Sequence, residues 1–192
     1  MSYASGVDPL CYPGTNVLRN KADIQEQNAL DAFELEMVLA RSKEQWPVGN
    51  LDVTHFLSLH HHLFQDVYEW AGALRSVRIG KAGIWFCYPE HIKSEMSSLF
   101  EWLKSEDYFN LLGGMGFSLK AARFLSELNS IHTSREGNGL TQMSLLTILI
   151  DDAGLPFNVV HLEPRRAMDA MIVSFRGNLH PLQELIYDLV RI

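Results

Sequence analysis

Cysteine is scarce: Cys11 and Cys87 stand far apart in 192 residues, without metal-ligand spacing. That excludes a disulfide-stapled secreted scaffold and leaves two free thiols in a reducing compartment. No apolar run approaches the roughly 18 residues a membrane helix requires, so no membrane partner is expected. The opening MSYASGVDPLCYPG has neither the charged nor the apolar region of a secretory signal. The chain is therefore expected to be cytoplasmic where it is made, with delivery as an effector left open. Positive charge is short as well, since 16 Lys and Arg face 23 Asp and Glu for a net charge of −7. This excludes a protein that grips nucleic acid mainly by charge. Internal repeats, low-complexity stretches and interdomain linkers are absent too.

What is present suits a globular chain with a real core: 47% of residues are apolar and 20% charged. Most of it has helical spacing. Asp23-Ile24-Gln25-Glu26 has the form of a capping box, followed by Leu30, Phe33, Met37 and Ala40 and a stop near Trp46-Pro47. A second helix is expected from Asp52 toward Trp70. Val77 to Phe86 alternates around Gly-Lys-Ala-Gly and predicts a small β-hairpin. Pro89 suits the first turn of a third helix, and a strong helix from Ser118 leads into His132. Helix returns after Gly139, and amphipathic segments fit 164–175 and 179–191. The expectation is an all-α fold with one hairpin, as a single domain over 1–192. Its core spans about 7–150, with C-terminal helices over about 160–191.

Chemistry concentrates in IHTSREGNGLTQM, residues 131–143. A glycine-rich turn before a helix leaves backbone N–H groups open to an anion, with the helix dipole behind them. Gly137, Asn138 and Gly139 supply that turn. Glu136 places a carboxylate beside it, a natural holder of Mg²⁺ among phosphate oxygens. His132 can accept a proton from an attacking hydroxyl. Spacing alone also permits a plain helix–helix turn beside a core histidine.

This stretch resembles the signature of the Fic/Doc family, His-Pro-Phe-x-(Asp/Glu)-Gly-Asn-Gly-Arg-x-x-Arg. DPLCYPGTNVLRNKADI is similar to the opening of Fic toxin modules, and LHHHLFQDVYEWAGALRSVRI to the family's His-x-x-Leu-Phe-x-Asp-x-Tyr-x-Trp-Ala-Gly-x-x-Arg segment; Asn129 also fits. The resemblance implies a Fic fold, a helical bundle around a helix–anion loop–helix motif with a hairpin flap. It implies a bacterial nucleotidyltransferase that moves AMP from ATP onto a hydroxyl of a target protein (AMPylation). His132 would then be the base, Glu136 would hold Mg²⁺, and Gly137, Asn138 and Gly139 would cradle the phosphates. The hairpin around Lys81, Ile84 and Phe86 would clamp the target by strand addition.

Four motif positions differ. Thr133 and Ser134 stand for Pro and Phe, which predicts a less firmly held loop. Leu140 and Met143 stand for the two arginines that face the phosphates, and each lost charge-assisted bond is worth roughly 1.5–3 kcal/mol. The expected function is thus protein AMP transfer, weakened or altered. Alternatives are a catalytically degenerate Fic-fold binding protein and a Fic transferase with a donor other than ATP. The family's inhibitory pattern (Ser/Thr)-x-x-x-Glu-(Gly/Asn) is missing, which implies a separate small antitoxin chain. Adjacent residues on a helix point apart, so His60, His61 and His62 are not expected to share a metal. His60 matches the family histidine, and His61 and His62 are assigned to the surface.

Overall fold

The computed structural model describes residues 8–81 and 83–191. The start of the expected core at residue 7, Ala82 of the hairpin turn, the end of the expected domain at residue 192 and the side chain of Ile84 lie outside that description. Seven α-helices, two short 3₁₀ helices (Asp107–Phe109 and Val159–His161) and one two-stranded antiparallel sheet make up the regular structure of the described residues, an all-α fold with a hairpin. The chain divides into two compact units, Met1–Ile92 with Thr133–Thr141, and Lys93–His132 with Gln142–Ile192.

In the first unit, α1 (Gln27–Arg41) and α2 (Val53–Phe64) pack together. The sequence places the start of α1 too early. Asp23 has a left-handed φ of 53°, and Glu26 itself caps the helix, its carboxylate accepting from the N–H groups of Asn28 and Ala29. The helix also stops at Arg41, before the proline-imposed limit. Asp52 caps α2 by accepting from the N–H of His55 at 2.8 Å, as expected, but α2 ends at Phe64, short of Trp70. Arg41 holds the two helices by a bidentate pair with Asp66 at 2.6 and 2.8 Å. Leu30, Val38, Leu63, Phe64, Val67 and Tyr68 form the core here, and Cys11, Val17 and Leu18 join it from the N-terminal segment. Both cysteines are free thiols. Strands β1 (Gly80–Lys81) and β2 (Ile84–Trp85) pair Gly80 with Trp85 and Lys81 with Ile84.

The second unit centres on α4 (Gly113–Ile131), packed against α6 (Pro164–Phe175) and α7 (His180–Val190). Gly113-Gly114 opens this helix, which therefore begins before the expected Ser118. Phe100, Phe109, Phe117 and Phe124 meet edge-on, an arrangement that suits the aromatic quadrupole. Helix α3 (Pro89–Ser105) starts on the expected proline, and α5 (Asn138–Asp152) starts inside the Gly-Asn-Gly turn. The chain passes between the units along these two helices and at the His132–Thr133 peptide bond.

Candidate active site

In the second unit, α4 ends on His132, whose φ of 52° puts it in the left-handed region. A non-glycine residue there is strained by roughly 1–2 kcal/mol. Neighbouring bonds hold this end of the helix: Ser126 Oγ donates to the Ser174 carbonyl at 3.1 Å, and Asn129 Nδ2 to the Met171 carbonyl at 3.5 Å. The His132 ring is buried, with Nδ1 at 3.3 Å from the Asn129 carbonyl oxygen. A carbonyl only accepts, so Nδ1 carries a proton in this contact.

In the first unit, Thr133, Ser134 and Arg135 are buried. The Asn138 amide closes the loop on itself. Its Oδ1 accepts from the Ser134 N–H at 3.0 Å and the Thr133 hydroxyl at 3.3 Å, while its Nδ2 donates to the Ser134 carbonyl at 2.8 Å. Arg135 Nε donates to Asp8 Oδ2 at 2.6 Å, and both side chains are only 7% exposed. The Arg75 N–H donates to the Thr133 carbonyl at 2.9 Å. His60 accepts from the Gly72 N–H on Nδ1 at 2.8 Å, so its Nε2 donates to the Glu136 carbonyl at 3.0 Å. Burial pulls the His60 pKa down to about 4, against the opposing pull of that carbonyl, and the ring stays neutral. Thr133 and Ser134, where the family motif has Pro and Phe, are thus tied to the Asn138 amide by hydrogen bonds.

Helix α5 turns its N-terminus onto this loop. The N–H groups of Asn138 and Gly139 have no hydrogen-bond partner among the described residues. Gly137 has φ 80°, and a Cβ on it would lie 2.4 Å from the Phe64 ring. Gly139 differs: a Cβ there would meet nothing within 4 Å. Packing demands glycine at 137 but leaves 139 open to whatever approaches from outside.

Glu136 is partly exposed, with Oε2 at 4.0 Å from Arg135 Nη1 and Oε1 at 3.3 Å from the Gly137 N–H. Among the described residues no three His, Cys, Asp or Glu side chains form a metal cage. A single carboxylate beside open N–H groups fits Mg²⁺, which is bound through one or two carboxylates together with substrate phosphates. Around Glu136 lie two further titrating groups. Glu34 is pushed up to about 7 by burial, the hydroxyl of Tyr68 pulling the other way at 2.5 Å and the charge of Glu136 adding to the rise. Burial lowers the Lys81 pKa, and the charge of Glu136 opposes it.

Of the two replaced arginines, Leu140 lies in the first turn of α5 and is 49% exposed, so it is not core. Met143 belongs to the second unit and is partly buried. In the hairpin, Phe86 is buried and donates its N–H to the Ile79 carbonyl at 3.2 Å. Lys81 and Ile84 are paired strand residues. The buried Arg75 ties both arms, Nη1 to the Val77 carbonyl at 2.7 Å and Nη2 to the Cys87 carbonyl at 2.6 Å. The three adjacent histidines diverge, His61 to the Ala71 carbonyl and His62 to the Arg41 carbonyl. His62 is buried, correcting its surface assignment. The Asp8–Arg135 pair escaped sequence reading because 127 residues separate its partners.

The sequence pattern of the Fic/DOC family matches residues 50–150, and the chain belongs to that family. It is 50% identical over 189 residues, 98% of both chains, to a probable protein adenylyltransferase y4lH of Sinorhizobium fredii. It is 30% identical over 190 residues, 98% of this chain and 94% of the other, to a probable protein adenylyltransferase Fic of Escherichia coli. Among solved structures, the N-terminal FIC domain of the Bep8 effector from Bartonella sp. 1-1C shares the fold. Its TM-score is 0.87 at 23% identity, over 95% of this chain and 94% of that one. BepC from Bartonella tribocorum, solved with bound AMPPNP, has a TM-score of 0.84 at 24% identity, over 95% and 96%.

Proposed function

We propose that this chain is a protein adenylyltransferase that transfers AMP from ATP to a hydroxyl side chain of a target protein. The observation that carries this reading is the loop around Asn138. It is clasped from within, fixed by His60 and Asp8 from outside, and presents open N–H groups at the start of a 15-residue helix. Preorganised donors of this kind stabilise phosphate charge without reorganising. The names of the full-length relatives supply the reaction class.

In this reading the Gly137–Gly139 backbone cradles phosphate, and Gly139 lets the nucleotide approach. His132 takes the proton of the target hydroxyl on Nε2. Glu136 holds Mg²⁺, which when bound neutralises phosphate charge. The hairpin at Lys81, Ile84 and Phe86 receives the target segment, and the two units act as one Fic domain. The oxygen of the target attacks the α-phosphorus, and pyrophosphate leaves. Leu140 and Met143 remove cationic grip on the far phosphates, so ATP affinity is low while the transfer machinery persists.

Incubation with labelled ATP, UTP or GTP, Mg²⁺ and cell lysate tests this, with a His132→Ala control. Label on protein that vanishes in the control is expected. Calorimetry showing no nucleotide binding at millimolar ligand would sink it. Leu140→Arg with Met143→Arg should tighten ATP binding about tenfold or more, since each added charge-assisted bond is worth roughly 1.5–3 kcal/mol. A preference for UTP or GTP would favour the donor-other-than-ATP alternative.

A further inference from the structure

Between Glu69 and Glu90 the sequence holds Arg75, Arg78 and Lys81 and no acidic residue, in a chain of net charge −7. The three cations differ in what they face. Arg75 is buried and donates to two carbonyls, and Lys81 feels the charge of Glu136. Arg78 is exposed, and among the described residues it has no hydrogen bond or carboxylate partner. Instead its guanidinium lies 3.9 Å from the centroid of the Tyr88 ring and 4.7 Å from that of Trp85. Those rings are themselves 45% and 47% exposed.

Stacking against two aromatic rings fixes the guanidinium plane at little entropic loss and leaves its N–H edge available. That edge matches a carboxylate in bidentate geometry. Alternation along the strand puts Arg78 on the face of Gly80, whose cross-strand partner is Trp85. The fork therefore stands on the same short hairpin that the proposed function assigns to the target.

We infer that the Trp85–Arg78–Tyr88 stack selects targets by an acidic side chain carried in the extended segment that lies along the hairpin. The partner is a protein segment with an Asp or Glu near the modified hydroxyl. This inference rests on the target-binding role given to the hairpin, and the charge island on an acidic chain is what commits it to an acidic occupant.

A degenerate peptide library with a fixed central tyrosine, serine or threonine, panned on the immobilised protein, tests it. Asp and Glu should be enriched about tenfold over Asn and Gln at one register position, the discrimination of a charge-assisted bond. The enrichment should fall to a few-fold in Arg78→Lys, which keeps charge and loses the fork, and vanish in Arg78→Gln, with far-UV circular dichroism unchanged for both. Absence of acidic enrichment with the unaltered protein, or its survival in Arg78→Gln, overturns the inference. So does an Arg78-dependent single-stranded oligonucleotide that displaces the peptides, which would mark a base-stacking platform. Calorimetry with Mg·ATP on the unaltered protein separates the two readings. Nucleotide binding without acidic preference removes only this inference. Acidic preference without nucleotide binding upholds the surface and removes the transferase.

Discussion

The loop at 133–139 and the hairpin at 77–88 belong to the same unit and are built on opposite plans. Every residue of the loop from Thr133 to Asn138 is fixed by an internal hydrogen bond, an ion pair or a packed ring. The hairpin has two residues per strand, one buried arginine tying its arms, and an exposed aromatic–cation stack. A site that must stabilise developing charge gains from rigidity, whereas a surface that must accept a protein segment gains from exposed aromatic and arginine side chains. Thr133 and Ser134, which stand where the family motif has Pro and Phe, bond to the Asn138 amide, and Arg135 beside them pairs with Asp8.

Gly137→Ala should break the rigid side most severely. Left-handed strain of about 1–2 kcal/mol adds to overlap with the Phe64 ring, and overpacking brings a further 1–3 kcal/mol. Thermal unfolding should move down by roughly 10 °C, with nucleotide binding lost.

Arg75→Met acts on the other side. It keeps an unbranched apolar stem but ends short of the guanidinium, and it strips the Val77 and Cys87 carbonyls of a charged donor, a loss of about 2 kcal/mol. Amide exchange should quicken across the hairpin while the loop keeps its protection, because the Arg75 backbone N–H still reaches Thr133. Equal loosening of both would refute the division of labour.

Glu34→Gln sharpens the electrostatics beside Glu136. The Glu34 pKa rises from an ordinary 4.5 to about 7 in the fold. Its neutral form is at no disadvantage below pH 4.5, and the stability it contributes is lost as pH rises toward 7. The variant should therefore match the parent at pH 4 and exceed it by roughly 2 kcal/mol at pH 8, after allowing for solvent screening. Chemical denaturation at the two pH values reads this directly; a variant that is weaker at pH 8 would contradict the sign.

Ser134→Ala is the mildest. The Ser134 hydroxyl is buried without a hydrogen-bond partner. Its removal should be neutral or raise stability by up to about 1 kcal/mol in the same denaturation assay, since a buried unsatisfied polar group is itself unfavourable.

Much of this was legible in the residues. Asp52 as a cap, Pro89 as a helix start and the bounds of α6 follow from local chemistry that acts over three or four residues. The ordered His, Glu and Gly-Asn-Gly marked the loop and its family. What escaped was long-range or conformational. Asp8 and Arg135 are distant in sequence, and the left-handed Asp23 spoils a capping box that looks sound as a string. Burial of His62 depends on which carbonyl its ring can reach, here that of Arg41. Thr133 and Ser134 read only as departures from the motif, because their bonds to the Asn138 amide depend on how the loop folds.

The most direct test compares ATP labelled on the α-phosphate with ATP labelled on the γ-phosphate, in lysate with Mg²⁺. AMP transfer by His132 and the Gly137–Gly139 loop predicts that the α label appears on protein, the γ label leaves with pyrophosphate, and His132→Ala abolishes the first signal. Protein carrying the γ label, or an α signal undiminished in His132→Ala, would contradict the account.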